Sequence, residues 1–186
     1  MPKPRDRAPA AVLLALVAGL ALGACTGDDE PTKSASTPSA PAPSSAPIDV
    51  APGKLTGRIG RAARDAAVAD VAQVVDGWFE AAYLGEYPRS DFSDAWPGFT
   101  RRLAGQARRE SAVTSNAVRG AELTSVRATV RKVRVDLLSA KGRAVGATAR
   151  FRLVLETPGT ETITGRLSLS PVRGGWQVFE YQVVRR

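Results

Sequence analysis

Histidine is absent from this chain, and cysteine and methionine occur once each. Without imidazole, Ser-His-Asp and Cys-His catalysis are excluded, as are imidazole metal sites and the usual side chain that titrates near neutral pH. The lone cysteine, Cys25, leaves no internal disulfide, so anything that folds here is held by its core alone. Aromatics are scarce, and none precedes Trp78. The apolar run from Ala10 to Leu22 falls short of the roughly 20 residues that an ordinary transmembrane helix needs.

What is present begins with Lys3, Arg5 and Arg7, then that apolar run, then Leu22-Gly23-Ala24-Cys25. A charged n-region, a short h-region and small residues before a cut form a secretory signal. Leu22-Gly23-Ala24-Cys25 resembles the lipobox of bacterial lipoproteins. The resemblance implies that 1–24 is a signal peptide and that the Cys25 thiol is acylated before cleavage and becomes the first mature residue. It also implies a diacylglyceryl thioether, often with a further N-acyl chain of the palmitate kind. One acyl chain alone holds a bilayer only marginally, whereas two or three anchor stably. The expected location is therefore the extracytoplasmic side of the cell membrane, with Cys25 as the lipidation site.

The formal charge is +8. Residues 1–24 carry +2 and 25–54 carry −2, so the whole surplus falls on 55–186. Export argues against nucleic acid as the partner. Two readings of the surplus stand side by side: a solvated surface, as an Arg- and Ala-rich coding bias produces, or attraction to anionic lipid headgroups or wall polymers. Arg127, Arg134, Arg150, Arg152 and Arg166 are the candidate basic surface. Near an anionic membrane, each such side chain is worth about 1 kcal/mol within a Debye length.

Residues 25–54 read as a disordered tether, with Pro31, Pro38, Pro41, Pro43, Pro47 and Pro52 among Ser and Ala. The folded part is then 55–186. Ala67, Val71, Val74, Val75, Trp78 and Ala82 recur at three- and four-residue steps and predict a helix over about 61–84. Gly85 and Tyr87-Pro88 end it. Phe99, Leu103 and Ala107 predict a second helix near 100–110, and the pattern over 111–121 is weak. From Leu123 the period becomes two. Strands are expected over about 123–138, 143–156, 163–169 and 176–184, with a bulge at Arg131-Lys132 where the apolar parity switches. The last strand is apolar on both faces, Trp176, Val178 and Val184 against Phe179, Tyr181 and Val183.

Helices followed by hairpin-linked strands give an α+β class. The element order, the helix ending Trp78-Phe79-Glu80-Ala81-Ala82-Tyr83-Leu84, and Gly175-Trp176-Gln177-Val178 in the last strand resemble the NTF2-like (cystatin-like) cone. The chain as a whole resembles actinobacterial lipoproteins of that architecture. The resemblance implies N-terminal helices packed on a curved, antiparallel, four-stranded meander. It also implies a cone interior that is either filled or open as a pocket. Trp78, Tyr83, Trp96, Phe99, Phe151, Trp176, Phe179 and Tyr181 are the candidate lining.

No nucleophile motif, phosphate loop, metal-ligand spacing or cofactor signature occurs. Asp76 and Glu80 lie on the polar face of the first helix, Asp91 and Asp94 in a turn-rich connector, and Glu180 on whichever face of the last strand is opposite Phe179 and Tyr181. The reading is a non-catalytic, membrane-anchored envelope module that binds a protein, a lipid or an anionic wall polymer. The alternative is a small NTF2-like hydrolase or isomerase using a carboxylate in the cone.

Overall fold

Alternation of apolar and polar residues, broken at a few positions, carries β2 (Arg127–Ala140), β3 (Arg143–Glu156), β4 (Thr160–Val172) and β5 (Gly175–Arg185). These bounds come from a computed structural model, which describes residues 45–186. The four strands form the expected antiparallel meander, each paired with the next. Lys141 and Gly142, at φ 51° and 74°, close the β2–β3 hairpin, where both central residues of a tight turn take left-handed backbone.

The sheet has five strands, not four. β1 (Asp49–Thr56) joins the edge and runs parallel to β2, so the sheet is mixed. Residues 49–54, expected at the end of a tether, are therefore part of the fold, and the order extends further back. Ala46 N–H donates to the Ala128 carbonyl at 2.7 Å, and Ala128 N–H donates to Ser45 Oγ at 3.0 Å. Pro52, one of the prolines that suggested a tether, is compatible with this place. An edge strand tolerates proline because one side of its backbone needs no ladder partner, and the pairing shifts register just after Pro52. Ile48, Val50 and Leu55 pack against the core. The rest of the expected tether, the signal region and Cys25 lie outside the described residues.

α1 (Arg61–Ala82) lies against β1, β2, β3 and β5. Its stripe of Val71, Val75, Trp78, Phe79 and Ala82 is completely or almost completely buried. α2 (Arg101–Arg109) starts at Thr100, whose Oγ1 accepts from Leu103 N–H at 3.3 Å, an N-cap of the ordinary kind. A one-turn α3 (Ser111–Thr114) follows. Polar bonds hold this turn, which is why no hydrophobic period announces it. Trp78 Nε1 donates to the Thr114 carbonyl at 3.2 Å and Tyr83 Oη to the Val113 carbonyl at 2.6 Å. From the other side Arg185 donates to the carbonyls of Ala112 and Ser115 and to Asn116 Oδ1.

Three bulges set which side chains face α1. The first falls between Ala128 and Val130, a little before the expected Arg131-Lys132. It turns Arg131 inward, where its guanidinium meets Asp76 and Glu80 of α1. The second makes Val145 an extra residue opposite the Leu138–Ser139 step, so Val145 points out and is 42 % exposed, although plain alternation with Ala147, Ala149 and Phe151 would turn it inward. The third places Phe179 as an extra residue opposite the Ser168–Leu169 step. Trp176 and Val178 therefore face the core before it, and Tyr181 and Val183 pack on the core after it. Trp176, Val178, Tyr181 and Val183 are thus one inward face interrupted by a bulge, and Phe179 and Val184 face out. Every core residue lies between Ile48 and Val183, so the described unit carries its own core.

Candidate functional site

The interior is packed. Trp78 has its ring centroid 5.2 Å from Phe151, 5.4 Å from Tyr83, 5.5 Å from Phe79 and 5.9 Å from Phe99. Those distances are the contact range of tilted and edge-to-face aromatic pairs. Gly165 stands opposite Phe151 on β4, and a Cβ there would come within 2.9 Å of the Phe151 ring and 2.0 Å of the Gln182 carbonyl. The glycine is what lets that ring lie in the layer. Of the eight candidate lining aromatics, Trp78, Tyr83, Trp96, Phe99, Phe151 and Trp176 are buried core. Tyr181 is half-buried beside Phe99, and Phe179 is 51 % exposed on the opposite side of the sheet. These residues therefore do not come together around one cavity. Trp176 reaches a cleft of about 440 Å³ between α1 and the β4–β5 turn, which Asp70 and Gln73 also line, and Phe179 lines a separate groove on the other face.

Four of the five carboxylates weighed as catalytic bases are engaged elsewhere. Asp76 and Glu80 pair with the buried Arg131. Asp91 accepts from Ser93 N–H at 2.8 Å, and that backbone bond holds its carboxyl below the usual range. Glu180 faces out and accepts from Ser168 Oγ at 2.9 Å, so it is not the buried acid that an inward β5 face would have made it. Asp94 is exposed in the connector. Burial raises the Tyr83 hydroxyl far above an ordinary phenol, so it is a neutral donor. Burial, followed by the bond to Glu110, raises Tyr181. Among the described residues no cluster of three metal-ligating groups occurs, and no helix is long and apolar enough to cross a membrane.

The basic residues do come together. On the face of the sheet turned away from α1, Arg134, Arg150 and Arg166 stand directly opposite one another on β2, β3 and β4. Adjacent strands lie about 4.8 Å apart, so three guanidinium stems leave the sheet within about 10 Å. The next row pairs Lys132 with Arg152. Like charges placed directly opposite across strands destabilise a sheet, and here only part of the charge is offset. Arg150 pairs with Asp136, and Lys132 lies 3.8 Å from Asp49. Arg134, Arg152 and Arg166 have no ion-pair partner among the described residues. Arg127, grouped with them from sequence, belongs to the far end of the sheet, where it pairs with Glu156.

Sequence reasoning did not find the apolar half of this face. Beyond a polar row of Asp136, Thr148 and Ser168, the outer surface carries a groove of about 510 Å³ lined by Leu138, Val145, Gly146, Phe179 and Lys54. Leu138 is 51 % exposed, and Val184 at the β5 edge is 48 % exposed. The signal was there in the two apolar faces of β5, but without the bulges it pointed to no particular place. No known protein family, curated protein or solved structure matches the chain.

Proposed function

We propose that this protein is a non-catalytic envelope lipoprotein, held at the extracytoplasmic side of the cell membrane through Cys25, whose NTF2-like domain serves as a binding module. The fold part of the reading is supported by helices that precede a four-stranded antiparallel meander, with a long helix across one face. β1, running parallel at the edge, is an addition to that plan. The observation that carries the binding role is the contrast between a packed interior and an exposed row of three cations. An enzyme of this size needs convergent polar groups around a place for the reacting atom. Here Asp76 and Glu80 are committed to Arg131 and Glu161 to Arg119 and Arg185, and the unpaired charge faces outward.

The test is replacement of the sole cysteine, followed by fractionation. Cys25→Ala is expected to leave the precursor uncleaved and free of acyl label, and to remove the mature species from the membrane fraction. Crosslinking in cells is then expected to recover partners with the wild type that the variant loses. The same mature membrane-bound species from Cys25→Ala would overturn the anchor. Turnover of an ester or small-molecule substrate that Asp76→Asn abolishes would overturn the non-catalytic reading.

A further inference from the structure

We propose that the outer face of the β-sheet is a docking surface for the headgroup layer of an anionic phospholipid membrane. The proposal rests on the binding-module reading and gives it a partner. It combines two observations on one face. The first is the block of Lys132, Arg134, Arg150, Arg152 and Arg166 on three adjacent strands. The second is the exposed apolar set of Leu138, Val145 and Phe179, four residues further along β2 and therefore about 13 Å away. Val184 extends the apolar surface at the other end.

Charge and apolarity together separate the occupants. A water-soluble polyanion would be served by the cations and gains nothing from an exposed phenyl ring. A membrane interface takes both, with basic side chains at the phosphates and apolar side chains pressed among the headgroups. Against the five cations stand Asp49, Asp136 and Glu180, so the face is net positive by two, and Lys54 at the groove raises this to three. Arg134, Arg152 and Arg166 supply the part of that charge that no acid on the sheet offsets. The face is also free of α1 and the other helices, which pack on the opposite side of the sheet.

The experiment is flotation of the fragment 41–186, which carries the whole core, with three sets of vesicles or ligand. These are phosphatidylglycerol mixed with phosphatidylcholine, phosphatidylcholine alone, and soluble inorganic polyphosphate as a competitor. The fragment is expected to float with the anionic vesicles at low salt. The affinity should fall as the Debye length shortens to about 8 Å at physiological salt. Each basic side chain near an anionic surface contributes about fivefold, so Arg134→Gln, Arg152→Gln and Arg166→Gln together should lower it by about a hundredfold. Phe179→Ser should weaken it with every charge intact. A thermal melt of each variant separates lost binding from lost folding, since all four side chains are exposed. Three patterns of binding would overturn the proposal: equal flotation with phosphatidylcholine alone, flotation with anionic vesicles that the triple variant keeps, or polyphosphate binding as tight as the vesicles and indifferent to Phe179→Ser. The last would make the face a polyanion site, leaving the binding-module reading in place. No binding to either anionic ligand would sink the docking face without touching the test of the anchor.

Discussion

The two faces of one sheet follow opposite rules. Toward α1, successive strands present Val133 and Val135, then Ala149 and Phe151, then Gly165 and Leu167. Large and small residues alternate so that the rings interlock with Trp78 and Phe79. One residue further along each strand, the outer face presents Arg134, Arg150 and Arg166 in a row. The inner face is chosen for fit and the outer row is tolerated against its own repulsion. A feature that lowers stability on a surface where almost any polar residue would serve is better explained by what it contacts than by what it holds together.

The comparison breaks most visibly at its centre. Trp78→Ala removes the ring that touches four other aromatics and leaves the Thr114 carbonyl without its donor. The expected loss is about 3–5 kcal/mol, read by chemical denaturation. An unchanged midpoint would mean that the inner face is not the core.

A smaller loss is expected at Glu161, at the start of β4. Burial pushes its carboxyl up, but hydrogen bonds from Arg119 and Arg185 outweigh that and hold it below the usual glutamate range. A group depressed in the folded state adds stability above its unfolded pKa and loses it as the pH falls through the folded value. Glu161→Gln should therefore cost about 1.5 kcal/mol at neutral pH, the scale of a hydrogen bond to a charged group. The gap from wild type should close as the medium is acidified below the ordinary glutamate range. A gap that stays constant with pH would mean that the ion pairs contribute nothing and that only shape was lost.

The outer row gives the smallest effect and the opposite sign. Arg166→Thr removes one of three facing cations and is expected to raise stability by roughly 0.2–0.5 kcal/mol at low salt, shrinking as salt screens the row. A loss of stability would show that the arginine stems pack on the sheet and do more than carry charge.

Much of this was readable from the residues, and the failures share a cause. α1 begins at Arg61 as expected and ends at Ala82, within two residues of expectation, because its stripe is long and regular. The β2–β5 meander follows from alternation and Gly-containing turns. Periodicity reported the β2 bulge as a parity switch but placed it slightly late, and it missed those in β3 and β5, since one inserted residue inverts every later assignment on its strand. Glu180, Phe179 and Val145 were all misplaced or undecided for that reason. β1 was hidden by composition: Asp49 to Thr56 contains a proline and a glycine, and only pairing with β2 makes it a strand. The three-arginine row needed register, since each of its members was visible but their alignment depends on which residue of β3 meets which residue of β4.

β1 also determines how the unit responds to force. Anything that pulls on the chain ahead of residue 45 reaches the fold through this strand, which lies parallel to β2 at the sheet edge. Tension along the strand loads its inter-strand bonds side by side, as in a lap joint, and a pull perpendicular to it would open them one after another. Ser45 and Ala46 tie the leading end to Ala128. Further in, Lys54 N–H bonds to Asp136 and Arg64 reaches the Gly53 carbonyl. The first element to bear such a load is thus a strand whose Val50 and Leu55 border the core, and the packed layer around Trp78 lies behind it.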